Sequence, residues 1–412
     1  MAGGGCQSRV KGKKMQLYLQ FGHGMMELSR ELLTEWGGGG IILSPRDLTE
    51  DQLQRTARNA RDAGAEPLLD PQCYLRDADH HRLTSYEYWQ TYQSHSTSSL
   101  LAGDGCRRLL RELGELVQRL ELERHILPGL LAQPVDSDWL ALHEQLIEAG
   151  EQEFGGEPLI ATVALSPDSA RSEEQVEAIV ERAADWPVEG LFLVCEPPGG
   201  YLVEDPVWLA NTLILASGLK LLGKQVIVGY GSHQMLALAA AKTDVLAAGT
   251  WMNVRTFDRD RLYNQPNVPK QRGIWFYCPQ ALTEYQPVFL DMAQRRGLLD
   301  EMRPDPGLGS SYADALFAGP QPSTVQWREP LAFRHYLTCL RGQCAALTTS
   351  SFDQALGAQR QLLDSAETLH QRLTQVGVFS TGRDFGPIFN VNRSALTDLE
   401  LARGARLRRE WT

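Results

Sequence analysis

The chain has 412 residues, enough for one barrel domain of ~250 residues with additions. Its 43% hydrophobic and 22% charged residues are ordinary for a globular protein, and no run of about 18 apolar residues is present to span a membrane. A net charge of −11 argues against retention on nucleic acid by charge alone and favours small molecules or protein partners.

Residues 1–14 are glycine-rich and then basic, without the apolar stretch of a secretory signal, and read as a loose tail. QLYLQFG (16–22) predicts an opening strand, ELSRELLTEW (27–36) an amphipathic helix and GIILS (40–44) a second strand. Residues 49–64 predict a helix capped by Thr49 and stopped by Gly64, and AEPLLD (65–70) a third strand. The stretch 98–131 reads as long and helical, broken before Pro128. The clearest organisation lies between 158 and 250. Apolar strands at 158–165, 190–195, 225–231 and 244–250 alternate with helices at 172–186, 205–223 and 232–242. Pro206 stands in the first turn of the second helix, and Ser232 stands as N-cap of the third.

Continuous apolar strands separated by helices imply parallel strands covered on both faces. The fold class expected is α/β, a TIM-type (β/α)8 barrel with extra C-terminal helices. GIWFYCP (273–279) reads as a late strand or an added element, and 329–347 and 352–376 as two long amphipathic helices. The expected organisation is therefore a tail at 1–14, the barrel at 15–300, a Pro/Gly/Ser-rich linker at 301–328 and helices packed on the barrel at 329–412. Seven cysteines scattered along the chain make no dense disulfide framework and point to a reducing cytoplasm.

In such a barrel, chemistry sits at the C-terminal strand ends. Asp70 and Glu196 each end an apolar run, where partial desolvation raises a carboxyl pKa and suits proton transfer. They are the candidate catalytic residues, against the alternatives of a turn cap for Asp70 and a loop ion pair for Glu196. Candidate substrate-binding residues follow the same strand ends: His23 after the first strand, Gln72 and Tyr74 after the third, and Gly229, Tyr230, Gly231 and His233 in GYGSH. Asn253 and Arg255 follow the strand at 244–250. Arg255 has the fork geometry for a phosphate or carboxylate, or for an ion pair with Asp258 or Asp260. His335 and Cys339 share one helical face, but no second pair of ligand spacing stands near them. Metal and cofactor are both expected to be absent. The nucleophile-elbow, Walker and HExxH patterns do not occur.

The order of features in LIATVAL, GLFLVCEPPGG, VIVGYGSHQMLALAAAKTDVLAAG and AFRHYLTCLRGQCAALTTSSFDQALGAQRQLLDSAE resembles the tRNA-guanine transglycosylase superfamily. That superfamily includes the queuine and archaeosine enzymes and their DNA-acting relatives. PLLDPQCY would hold the strand-end acid of the family, Asp70. The resemblance implies exchange of a guanine for a 7-deazaguanine in tRNA or DNA. The implied partners are a nucleic acid and a purine or 7-deazapurine base, in a homodimer or heteromeric complex. Departures accompany it. The family's nucleophile position falls at Ala247 or a neighbour, 301–328 contains no cysteine, and 349–352 contains no histidine. Such losses leave two other readings open: a catalytically silent barrel subunit of a nucleic-acid-modifying complex, and a barrel enzyme on a small metabolite using Asp70 and Glu196.

Overall fold

The computed structural model describes residues 14–96, 99–100, 104–265, 273–319 and 321–411. Strands β1 (Gln16–Gln20), β2 (Gly39–Leu43), β3 (Ala65–Leu69), β4 (His125–Ile126), β5 (Leu131–Ala132), β6 (Leu159–Leu165), β7 (Gly190–Cys195), β8 (Gln225–Val228) and β9 (Val245–Ala248) form one sheet. Its order is β3-β2-β1-β9-β8-β7-β6-β4, with every pair parallel. β4 and β5 both pair with β6 and together fill one barrel position, which makes eight positions in all. The remaining seam, between β3 and β5, is crossed by the Leu131 amide donating to the Tyr74 carbonyl at 3.0 Å. The expected TIM-type barrel is therefore present and nearly closed.

Local chemistry explains the helices between the strands. Thr49 and Gln52 form a capping box at the start of Glu50–Asp62. Asp136, Ser172 and Asp205 each accept a backbone N–H at the start of their helices. Every residue of β6 and β7 is buried, as the apolar runs require. Helix Pro206–Leu221 is buried on both sides: its inner face meets the barrel and its outer face meets the last helix, Pro387–Glu410.

Several elements differ from expectation. In the long stretch 98–131 the helix covers Gly105–Leu120, and β4 and β5 follow near its end. Those strands are two residues each, too short to leave a periodic pattern. Helix Ser137–Phe154 is an addition to the expected elements. The helix expected at 232–242 is a 3-10 winding, His233–Ala239, capped by Ser232. It is wholly buried, and the Gln359 side chain takes the Leu236 carbonyl at 2.8 Å. The run at 273–279 contributes β10 (Phe276–Cys278), which pairs antiparallel with β11 (Thr283–Tyr285) outside the barrel.

Helices Glu329–Ala346, Phe352–Gln375 and Pro387–Glu410 extend the barrel core. A second, smaller apolar cluster gathers Phe276, Tyr285, Leu290, Leu316, Trp327 and Leu373. Four members of that cluster, Met302, Ala313, Leu316 and Trp327, belong to the stretch 301–328. Among the described residues, no helix is long and apolar enough to cross a membrane.

Candidate functional site

Asp70 follows β3 directly and is completely buried at the barrel mouth. Three donors converge on it. The Gln72 amide and the Tyr74 hydroxyl donate to Oδ1 at 2.9 and 2.8 Å, and the Tyr230 hydroxyl donates to Oδ2 at 2.7 Å. Burial pushes the Asp70 carboxyl above the usual carboxylate range, and these hydrogen bonds offset only part of that rise. Gln72 also donates to the Tyr230 hydroxyl at 3.1 Å, while its carbonyl oxygen accepts from Ser44 and from the Arg46 amide. Gln72 and Tyr230 both hold left-handed backbone angles, with φ of 58° and 52°. For residues with a Cβ this conformation costs roughly 1 kcal/mol or more each, and such strain clusters at working sites. Two strained residues thus flank one buried carboxyl.

A strap running from Thr250 to Asn264 closes the mouth above this group. Phe257 wedges between Tyr74 and Tyr230, with ring centroids 5.1 and 5.2 Å away. The 3-10 turn Arg259–Leu262 carries two arginines that grip opposite walls. Arg259 forks onto Glu196 at the end of β7, its Nε 2.8 Å from Oε2 and 3.0 Å from Oε1. Arg261 reaches Asp47 beyond β2 at 3.1 Å and lies over the Tyr230 ring, 4.9 Å from its centroid. Asp47 is shared, because Arg46 also pairs with it at 2.6 Å. Further along, the His80 amide donates to the Leu262 carbonyl at 3.0 Å, and the Asn264 amide donates to Asp79 at 2.7 Å.

The β8–β9 side carries a second buried charge cluster. Glu284, on β11, accepts from Arg255 at 2.7 Å, from the Tyr201 hydroxyl at 3.0 Å and from Arg383. Burial alone would push the Glu284 carboxyl up; the two guanidinium groups reverse this and hold it below the usual range. Arg255 also stacks 3.4 Å over the Tyr336 ring and donates to the Gly249 carbonyl at 3.0 Å. Beside Arg255 and Tyr230 lies a cavity of about 10 Å³, lined also by Cys195, Pro197, Trp208 and Met235. That is room for about one water.

The structure therefore brings Gln72, Tyr74 and Tyr230 together around Asp70 and leaves the other candidates in different surroundings. Glu196 does not join Asp70: its carboxylate bonds to the strap arginine, the ion pair weighed as its alternative. Arg255 pairs with Glu284, not with Asp258 or Asp260. Asn253 contributes its carbonyl, which accepts from Arg261 at 2.8 Å. His23 is exposed, and its carbonyl accepts from the Trp251 indole at 3.2 Å. His233 is buried between Tyr277 and Phe385, and burial lowers its pKa to about 4. A Cβ on Gly229 would lie 2.6 Å from the Phe192 ring, and one on Gly231 2.3 Å from Leu246. Both glycines thus leave room for neighbouring side chains. His335 spends its ring nitrogens on Ser310 and the Tyr277 carbonyl. Among the described residues, no group of three or more His, Cys, Asp or Glu gathers as for a metal. Asp47, Arg259, Arg261 and Glu284 were missed. The charged run DRDR (258–261), in the segment after the last apolar strand, was a signal for Arg259 and Arg261 alone.

No protein-family model matches the chain, and no curated protein matches it. Solved structures do match in architecture. An HpcH/HpaI aldolase from Desulfitobacterium hafniense is 11% identical, over 57% of this chain and 87% of that one, with a TM-score of 0.34. The intracellular xylanase TsXylA from Thermoanaerobacterium saccharolyticum is 10% identical, over 58% and 86%, with a TM-score of 0.35. The carboxyl transferase domain of Rhizobium etli pyruvate carboxylase is 11% identical, over 94% and 61%, with a TM-score of 0.34. The resemblance to tRNA-guanine transglycosylases is not borne out: no family model matches the chain, and the solved structures that match bear other names. The site agrees with that correction. β9 offers the buried, apolar Ala247 and Ala248 where the nucleophile was sought. The expectations of base exchange, tRNA or DNA, and a 7-deazapurine rested on that resemblance and lose their support with it.

Proposed function

We propose that this chain is a barrel enzyme acting on a small metabolite at the C-terminal mouth, with Asp70 and Tyr230 as its proton-transferring pair. The observation that carries the reading is the environment of Asp70. It is a fully buried carboxyl raised by desolvation, hydrogen-bonded to two tyrosines and flanked by two strained residues. When Asp70 is protonated, the Oδ2–Tyr230 hydrogen bond reverses, and the Tyr230 hydrogen becomes free to turn toward a ligand. Tyr230 then donates to an oxygen that gains negative charge in the reaction, and Asp70 replaces the proton from behind. Burial and the Asp70 charge push the Tyr230 hydroxyl well up, which suits a donor and opposes a phenolate base. Glu196 enters the reaction space only when Arg259 releases it, so strap opening couples access to the availability of the second carboxylate.

A second reading rests on one specific observation: the cavity beside Tyr230 and Arg255 holds only about 10 Å³ of free space. A barrel that never opened would be a catalytically silent binding subunit. The two readings part in one experiment. Purified wild type, Asp70→Asn and Tyr230→Phe are incubated with a cellular small-molecule extract, and its composition is followed by mass spectrometry. The enzyme reading expects at least one compound consumed by wild type and spared at least 100-fold by Asp70→Asn. An unchanged extract, with wild type folded, removes it in favour of the silent barrel.

A further inference from the structure

Charge bookkeeping at the mouth gives an unequal count. Arg46 and Arg261 share the single carboxylate of Asp47, and Arg255 and Arg383 share that of Glu284. Arg259 and Glu196 balance each other. The Glu284 cluster therefore keeps one guanidinium charge in excess, and the Asp47 cluster does so while Asp70, whose carboxyl faces Arg261 electrostatically, is protonated. The Asp47–Arg261 and Glu284–Arg255 pairs are buried, where water compensates poorly. Burial also presses the Arg46 guanidinium below its usual value.

A second, independent observation concerns unpaired buried polar atoms at the mouth. Nε of Arg261 is buried without a hydrogen-bond partner, on a side chain only 2% exposed. At the end of β1, Gln20 is completely buried, and neither its amide nitrogen nor its carbonyl oxygen finds a partner. Its oxygen lies 3.5 Å from where a Cβ on Gly229 would sit, beside the cavity lining. Buried polar groups are rarely left unpaired, and those that are need a reason. One anionic group would answer both observations. It would draw on the spare charge of Arg255 and Arg261 from either side of Tyr230, and accept from Arg261 Nε and the Gln20 amide.

We infer that the ligand of the barrel mouth is a small oxyanion, a carboxylate or phosphate, held between Arg255 and Arg261 when the strap lifts. This rests on the reading of the mouth as a small-molecule site and names the chemical class of what enters it. Entry requires the Arg259–Glu196 and Arg261–Asp47 contacts to open, because the closed cavity has no room for such a group.

The test is calorimetric titration of the full chain at low ionic strength with malonate, with inorganic phosphate and with neutral erythritol. At least one anion is expected to bind saturably and erythritol not at all; which anion binds separates the carboxylate from the phosphate class. Arg261→Gln should weaken that binding at least tenfold and Arg261→Lys less, with thermal midpoints measured without ligand to confirm that both variants fold. Equal heats for anions and erythritol overturn the inference, as does full anion affinity in a folded Arg261→Gln. Extract turnover keeps the two proposals apart. Asp70-dependent conversion of a neutral compound, with both anions inert, overturns the anion inference and leaves the enzyme. Arg261-dependent anion binding without any turnover supports the inference and removes the enzyme.

Discussion

Asp70 and Glu196 look alike on paper. Each follows an apolar parallel strand, each is followed by proline, and each stands on the rim of the same barrel. Their surroundings differ completely. Asp70 meets two tyrosines and a backbone amide, all neutral donors, in a fully buried place. Glu196 meets a guanidinium fork whose side chain is 29% exposed. A carboxyl among neutral donors keeps a burial penalty on its charge, whereas one facing arginine is already compensated. What a strand-end acid can do is therefore decided by the residues across the mouth, and those arrive from distant parts of the chain.

The sharpest way to break this comparison is to remove the Asp70 side chain. Asp70→Ala leaves two tyrosine hydroxyls and the Gln72 amide without their acceptor and opens a small void. The expected loss is about 3 kcal/mol of unfolding free energy, read from urea denaturation at pH 7. Asp70→Asn keeps the shape and should lose less. Its deficit relative to wild type should also shrink as pH rises. The folded-state pKa of Asp70 is raised, so its favourable contribution is complete below the usual carboxylate range and is lost as pH climbs through the folded value. A deficit that widens with pH would mean that Asp70 is stabilised as the anion, and the contrast with Glu196 would disappear.

Histidines near the two sides offer a second test. His80, beyond β3, and His233, beyond β8, are both lowered to about 4, each chiefly by burial. For a lowered histidine the sign is opposite to that of Asp70. Its contribution is complete above the unfolded value of about 6.5 and is lost as pH falls towards 4. For the fully buried His233 the shift corresponds to about 3 kcal/mol between those limits. Urea midpoints should therefore drop between pH 7 and pH 5, and His233→Gln and His80→Gln should each flatten part of the drop. No flattening by either would show that neither side is dry enough to hold its histidine neutral.

The sequence exposed the barrel more fully than the mouth, for physical reasons. Strands such as β6 and β7 are buried on both faces and so must be apolar along their whole length, which is a local signal. β4 and β5 are too short to carry such a signal, and helix Ser137–Phe154 beside them is an addition to the expected elements. Asp70, Gln72, Tyr74 and Tyr230 were legible because a barrel places its chemistry at strand ends. The strap was not. Arg261 and Asp47 are 214 residues apart, and Arg255 and Glu284 meet only because β11 folds back beside the barrel. No spacing rule joins residues at such separations, so the clusters that decide the mouth's charge stayed invisible until the chain was folded.

The smallest expected effect concerns Glu196 itself. Its partner Arg259 is partly exposed, so solvent screens the pair, and a double-mutant cycle of Glu196→Gln with Arg259→Gln should give a coupling of only about 1 kcal/mol. The Asp47–Arg261 pair is buried on both sides, and the same cycle there should exceed it. If the strap is a gate, this weak latch has a further consequence. Glu196→Gln should leave global stability nearly unchanged yet speed amide exchange across the strap residues 256–264 several-fold, measured by hydrogen–deuterium exchange. Asp70→Asn should leave strap exchange as it is, because Asp70 bonds to Tyr74 and Tyr230 beneath the strap and not to the strap itself. Slow, wild-type exchange in Glu196→Gln would place the holding contacts on the Arg261 side and make Glu196 a rim charge of no consequence for access.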